Sequence, residues 1–141
     1  MRFAWPIEIL QEPEGVTITC PDIPEMVTCG PTLDAALAEA ADALVTALSF
    51  YIDAGQPVPV PSPARGRKVI PLPALAAAKL ALHQAMLHAG VSNVELGQRL
   101  NMDEKSIRRL RDPLHGSKVE TIEATLHVLG QRLEVVVQPA A

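Results

Sequence analysis

Gln56 to Ala64 reads QPVPVPSPA, four prolines in nine residues. Each proline holds φ at about −65° and removes a backbone donor. The stretch can enter neither a helix interior nor the middle of a sheet, and it is expected to run extended as a spacer. It divides a 141-residue chain into parts of opposite charge. Residues 1–64 carry one base, Arg2, against nine acids (Glu8, Glu12, Glu14, Asp22, Glu25, Asp34, Glu39, Asp42 and Asp53), a net −8. Residues 65–141 carry eleven bases and seven acids, a net +4. A basic half can approach phosphate, whereas an acidic half is suited to a basic protein.

Ahead of the spacer, Phe3 to Leu10 (FAWPIEIL) is apolar and partly alternating, with Pro6 marking an edge or irregular strand. Gln11 to Gly15 is a turn by composition, and Val16 to Cys20 (VTITC) alternates β-branched residues at period two, so the two strands form a hairpin. Pro21 to Glu25 is a stiff loop, and Met26 to Cys29 is a short third strand that Gly30-Pro31 ends. Thr32 then caps a helix from Leu33 to Ala54, whose stripe of Leu33, Ala36, Leu37, Ala40, Leu44, Ala47, Leu48 and Tyr51 or Ile52 can cover one face of the sheet. Gly55 is its C-cap. Val69-Ile70, before Pro71, is a short further strand.

Beyond residue 71, Leu72 to His88 is an Ala- and Leu-rich helix ending at Gly90. Ser92 to Leu110 (SNVELGQRLNMDEKSIRRL) then holds two apolar-periodic runs around a polar break. Val94, Leu96 and Leu100 surround the small Gly97, and Ile107 and Leu110 fall on one helical face. Asn101 tolerates the left-handed conformation that ends a helix, and Asp103 is a strong N-cap. Two helices joined by a turn of about three or four residues make a helix-turn-helix. Glu104, Lys105, Ser106, Arg108, Arg109 and Arg111 lie off the buried face, and four of the six are cationic, as suits a helix in a DNA groove. Asp112-Pro113 ends that helix, a last helix runs from Val119 to Leu129, and Arg132 to Gln138 (RLEVVVQ) reads as a strand in need of a partner, from this chain or a second copy.

The expected architecture is therefore an α+β domain over residues 1–71, with a three-to-four-stranded antiparallel sheet and one long helix. An all-α helix-turn-helix domain with a short C-terminal strand follows over residues 72–141. Aromatics are only 3% of the chain against a hydrophobic fraction of 48%, so the cores are aliphatic. Cys20 and Cys29 lie nine apart without a histidine spaced for a metal, and are expected to be reduced thiols in a cytoplasmic protein. His83, His88, His115 and His127 are dispersed, and the carboxylates lie mainly on turns and on the amphipathic helix, so no catalytic residue, metal or cofactor is expected. Met1 to Leu10 has an early Glu8 and no small-residue cleavage site, and no apolar run of about 18 residues is free of charge and proline; neither a signal peptide nor a membrane span is expected.

The hairpin, the segment TITCPDIPEMVTCG (Thr17 to Gly30), the helix start Thr32 to Leu37 and the Gly-x-Pro-x-Pro tail Gly55 to Pro59 together resemble the HicB antitoxins of bacterial toxin–antitoxin systems. Residues 74–130 resemble the Cro and phage-repressor class of helix-turn-helix domain found at the C-terminus of many of them. The resemblance implies a partial ribonuclease-H-like first domain without a catalytic metal site. That domain would bind and occlude HicA, a small basic mRNA-cleaving ribonuclease, in a type II toxin–antitoxin system. It implies a second domain that binds its own operator DNA as a repressor, and a homo-oligomer, dimer or tetramer. Where Gly-Cys usually closes the loop of the family, Glu25-Met26 follows Ile23-Pro24 here, so the toxin-facing loop differs in detail.

By likeness to the phage-repressor class, Glu104, Lys105 and Arg109 would reach base edges, with Ser106 and Arg108 nearby. Arg108, Arg111, Lys118 and Asn93 would serve phosphate contacts. Asp22 and Glu25, in the stiff loop, are the candidate toxin contacts. The bland alternative for the helix is a solvated basic face. The rival functions are a ligand-sensing repressor without a toxin partner and a metal-dependent nuclease that would depend on Glu8.

Overall fold

The computed structural model describes residues 1–140. Strands β1 (Ala4–Pro6), β2 (Glu8–Glu12), β3 (Gly15–Thr19) and β4 (Val27–Gly30) precede helix α1 (Leu33–Asp53). Strand β5 (Val69–Pro71) follows the spacer, and α2 (Ala74–Ala89), α3 (Asn93–Leu100), α4 (Glu104–Arg111) and α5 (Val119–Val128) complete the chain.

The hairpin forms as its alternation predicts, with β2 antiparallel to β3 from Glu8 opposite Thr19 to Glu12 opposite Gly15. β4 joins antiparallel, Val16 opposite Gly30 and Thr19 opposite Val27. Phe3 to Leu10 is not one strand, however. It divides at Ile7: β1 pairs with β5, Trp5 opposite Ile70, while β2 pairs with β3. The sheet is thus two- and three-stranded pieces, β1-β5 and β2-β3-β4, rather than one of three or four strands. Pro6 has no N–H to extend a ladder, and at Ile7 the backbone N–H turns to the Lys68 carbonyl at 2.9 Å while its side chain is buried.

α1 lies across one face of these pieces. Thr32 caps it, accepting from the Ala35 N–H at 3.2 Å. Past the end, Gly55 takes φ +66°, and the Gln56 N–H returns to the Tyr51 carbonyl at 2.9 Å. Ala36, Ala40, Leu44, Ala47, Leu48 and Ile52 are buried, with Leu33, Leu37 and Tyr51 partly so. They pack with Trp5, Ile7, Val16, Ile18, Ile23 and Met26. Each large aliphatic so buried contributes about 1.5–3 kcal/mol. Among the described residues α1 alone is long and apolar enough, by length and composition, to cross a membrane, with a mean hydropathy of 1.4. Its acids stay on the outer face, and the residues facing the sheet make it a core helix.

The spacer is extended as expected, but it does not hang free. Val58 is buried in the first core, and its N–H donates to Gln84 Oε1 at 3.0 Å. Trp5 Nε1 donates to the Pro59 carbonyl at 3.1 Å, and Ser62 donates through both N–H and Oγ to Asp22 Oδ2 at 2.9 Å. The segment is a strap laid along the first core.

α2 is apolar on two sides. Ala76 and Leu80, one turn apart, join the first core; Ala78, Leu82 and Met86, offset by two residues, join a second. That second core is completed by Val91, Leu96, Ile107, Leu110, Ile122 and Leu126. The expected strand at Arg132 to Gln138 is absent from the single chain. Leu133 packs against the second core, but residues 131–140 pair with nothing, and Val135, Val136 and Val137 are 84%, 71% and 91% exposed. A strand needs a partner edge, and among the described residues the tail joins neither sheet.

Candidate nucleic-acid interface

The α3–α4 pair is assembled from local signals. Ser92 caps α3, accepting from the Glu95 N–H at 3.1 Å. Asn101 closes α3 in the left-handed conformation at φ 54°, ψ 46°, and Asp103 caps α4, accepting from the Ser106 N–H at 2.7 Å. Hydrogen bonding from the side chain and then the backbone N–H of Ser106 holds the Asp103 carboxyl below its ordinary range. The turn depends on Gly97. Its carbonyl accepts from the Met102 N–H at 2.8 Å, and a Cβ on Gly97 would stand 2.5 Å from the Met102 carbonyl oxygen. The glycine therefore serves the turn itself, beyond a close crossing of two helices. Val94, placed by periodicity among the packed residues, is instead 54% exposed.

α4 presses Ile107 and Leu110 inward. Outward it presents Glu104, Lys105, Arg108 and Arg109, all exposed, with Ser106 half-buried beside them. Glu104 and Arg108, one turn apart, form an ion pair at 2.6 Å. Lys118, exposed, stands at the N-cap of α5. Two residues of the expected set face elsewhere. Arg111 is half-buried, with Nη1 donating to Asn93 Oδ1 at 2.7 Å and Nη2 to His83 Nδ1 at 2.5 Å. Asn93 is thereby occupied by Arg111, joining the start of α3 to the end of α4.

Two side chains of α2 hold this assembly, and the order of residues alone did not single them out. Lys79 is fully buried, and its three donors reach the Arg109 carbonyl (3.0 Å), the Asp112 carbonyl (2.9 Å) and Ser117 Oγ (2.8 Å). The ammonium sits at the negative end of the α4 dipole and ties the α4–α5 turn to α2. Burial lowers its pKa, and Asp112 partly opposes that. One turn on, His83 is also fully buried. Its Nε2 meets the Gln56 carbonyl at 2.7 Å, which can only accept, so Nε2 carries the proton and Nδ1 receives the Arg111 bond. Burial lowers the His83 pKa, and the Arg111 charge adds to it. The visible signal was two polar residues at i and i+4 in an Ala/Leu helix, which marks a polar seam.

In the N-terminal half, Asp22 is half-buried under its two bonds from Ser62. Glu25 is exposed and accepts from Tyr51 Oη at 2.7 Å; the Tyr51 hydroxyl is pushed up to about 12, by desolvation first and by the Glu25 carboxylate next. Cys20 is a buried free thiol, pushed up by burial, and Cys29 an exposed one. Among the described residues no three His, Cys, Asp or Glu side chains converge as metal ligands would.

Residues 4–81, more than half the chain, match the family described as the HicB-like antitoxin of bacterial toxin–antitoxin systems. The chain belongs to the HicB-like antitoxin family. It is 41% identical to Antitoxin HicB of Pseudomonas fluorescens (strain Pf0-1), over 99% of this chain and 97% of that protein. Antitoxin HicB 2 of Photorhabdus laumondii is 39% identical over 94% of each chain. Antitoxin HicB of Escherichia coli (strain K12) is 32% identical over 94% of this chain and 97% of its own length. A role as the antitoxin of a toxin–antitoxin system follows from this membership.

Gly97→Ala is expected to destabilise the α3–α4 pair by about 1–3 kcal/mol, read as an earlier urea transition of the second core. His83 gives a pH dependence. Its folded pKa lies below the ordinary value of 6.5, so the neutral ring contributes fully above that value and the contribution is lost as pH falls through the lowered one. The urea midpoint of the wild-type protein is expected to fall between pH 7.5 and pH 5 by more than that of His83→Gln; equal falls would remove His83 from the account.

Proposed function

We propose that this antitoxin works with two surfaces on one rigid body. The domain of residues 1–71, acidic and here read as a partial ribonuclease-H-like fold, binds a HicA-type ribonuclease toxin and covers its active site, with Asp22 and Glu25 in the contacting region. Asp22 acts there by holding the loop against the strap, and Glu25, exposed while it accepts from Tyr51, presents its carboxylate to a basic side chain. The domain of residues 72–141, read as a Cro-type helix-turn-helix, represses its own operon. Glu104, Lys105 and Arg109 enter the major groove, and Ser106, Arg108 and Lys118 lie along its walls. Arg111 and Asn93 set the angle between α3 and α4, in addition to any phosphate they reach. Both activities belong to the cytoplasm, where operator and messenger RNA are found.

The observation that carries the DNA-binding half is the outer surface of α4. Three cations, Lys105, Arg108 and Arg109, project from a short helix capped at its start by Asp103 and clamped at its end by Lys79. One such unit reads a half-site, so repression needs a homo-oligomer. The tail supports that: Leu133 anchors it, and Glu134 to Val137 continue as an exposed, valine-rich segment able to pair with the same segment of a second copy.

Arg109→Ala is expected to weaken binding to the DNA upstream of the gene by about 1–3 kcal/mol and to relax its sequence preference, while toxin neutralisation is retained. Unchanged binding in a gel-shift titration would place DNA reading elsewhere. Val136→Pro, which removes a donor from the tail at an exposed position, is expected to lower the solution mass to that of one chain and to weaken operator binding with it. A wild-type mass by light scattering would exclude the tail as the seam.

A further inference from the structure

The three-stranded sheet has one covered and one open face. By register, Ile9, Ile18 and Thr28 share the side of α1 with Gln11, Val16 and Gly30. The alternate residues form the other face: Glu8, Thr19 and Val27 in one row, Leu10, Thr17 and Cys29 in the next, and Glu12 beside Gly15 at the end. Nothing in the described chain packs over them. Leu10 and Val27 are 57% and 59% exposed, Cys29 is exposed, and Thr17 and Thr19 are half-buried between them. An apolar centre with a polar rim is the pattern of a protein interface.

The rim decides the occupant. Glu8 and Glu12 flank Leu10 on β2, and Glu14 is exposed in the turn that follows. Arg67 Nη1 lies 3.7 Å from Glu8 at one corner. A second copy seated face to face would bring the same three carboxylates against their own kind, which disfavours self-association; a basic protein would meet them with opposite charge. The half that carries this face has nine acids and one base before residue 65. Building on the toxin-binding role inferred above, we propose that the open face of β2-β3-β4, centred on Leu10, Val27 and Cys29 and edged by Glu8, Glu12 and Glu14, is where the small basic toxin docks.

Cys29 makes the proposal measurable, because the other thiol, Cys20, is buried. The 141-residue chain is mixed with an inactivated form of the basic ribonuclease toxin assigned to it above, and thiol labelling is followed with and without that toxin. Labelling of Cys29 is expected to slow at least tenfold in the complex. Leu10→Lys and Val27→Arg, both at exposed positions, are each expected to weaken toxin binding about tenfold or more, with the circular dichroism spectrum and operator binding unchanged. If the complex forms but Cys29 labels at its free rate and both variants bind as wild type, the docking face is elsewhere and the toxin-binding role stands. If no complex forms with the wild-type protein, the role and the face fall together. Slow labelling of Cys29 in the protein alone would mean that a second copy covers the face, and would overturn the proposal.

Discussion

Helix α2 is the element on which the rest of the structure depends, because it packs into both cores. Ala76 and Leu80 belong to one core and Ala78, Leu82 and Met86 to the other. Prising the halves apart would expose apolar surface on both flanks of a single helix, at about 25 cal/mol for each Å² uncovered. The polar exceptions on α2 reinforce the join. Lys79 reaches into the α4–α5 turn, His83 links the strap to Arg111, and Gln84 holds the Val58 N–H. Short helices such as α3 and α4, eight residues each, are marginal alone and take their stability from such tertiary support.

That join bears on how an acidic and a basic surface share one small protein. The outward cations of α4 and the carboxylates of β2 are held by different cores, so neither collapses onto the other. Among the described residues none of the ion pairs joins α4 to the sheet: Arg108 pairs with Glu104, Arg132 with Glu134, and Arg67 with Glu8. The charges that would answer a nucleic acid and those that would answer a basic protein both remain at the surface. Exposed pairs of this kind contribute little to stability, which leaves those side chains available for partners.

What could be read from residue order follows from the range of each interaction. Thr32, Asn101 and Asp103 were legible because caps act within three or four residues. The α1 stripe was legible because helical periodicity reports burial directly. The division of Phe3 to Leu10 was hidden, since it depends on pairing with β5 more than sixty residues away. The spacer's composition predicted its extension but not its seat, which rests on Trp5, Asp22 and Gln84 from three other segments. Arg111 counted as one more exposed cation until His83 and Asn93 placed it inside. The valine-rich tail has strand composition without strand pairing, because propensity cannot supply an edge.

Trp5 is the single tryptophan of the chain, fully buried, with its indole N–H bonded to the strap at Pro59. The tryptophan fluorescence of this protein therefore comes from one position, at the contact between the first core and the segment leading to the second. Its emission maximum and its accessibility to quenchers are a built-in optical gauge of whether that segment is seated. The gauge needs no label.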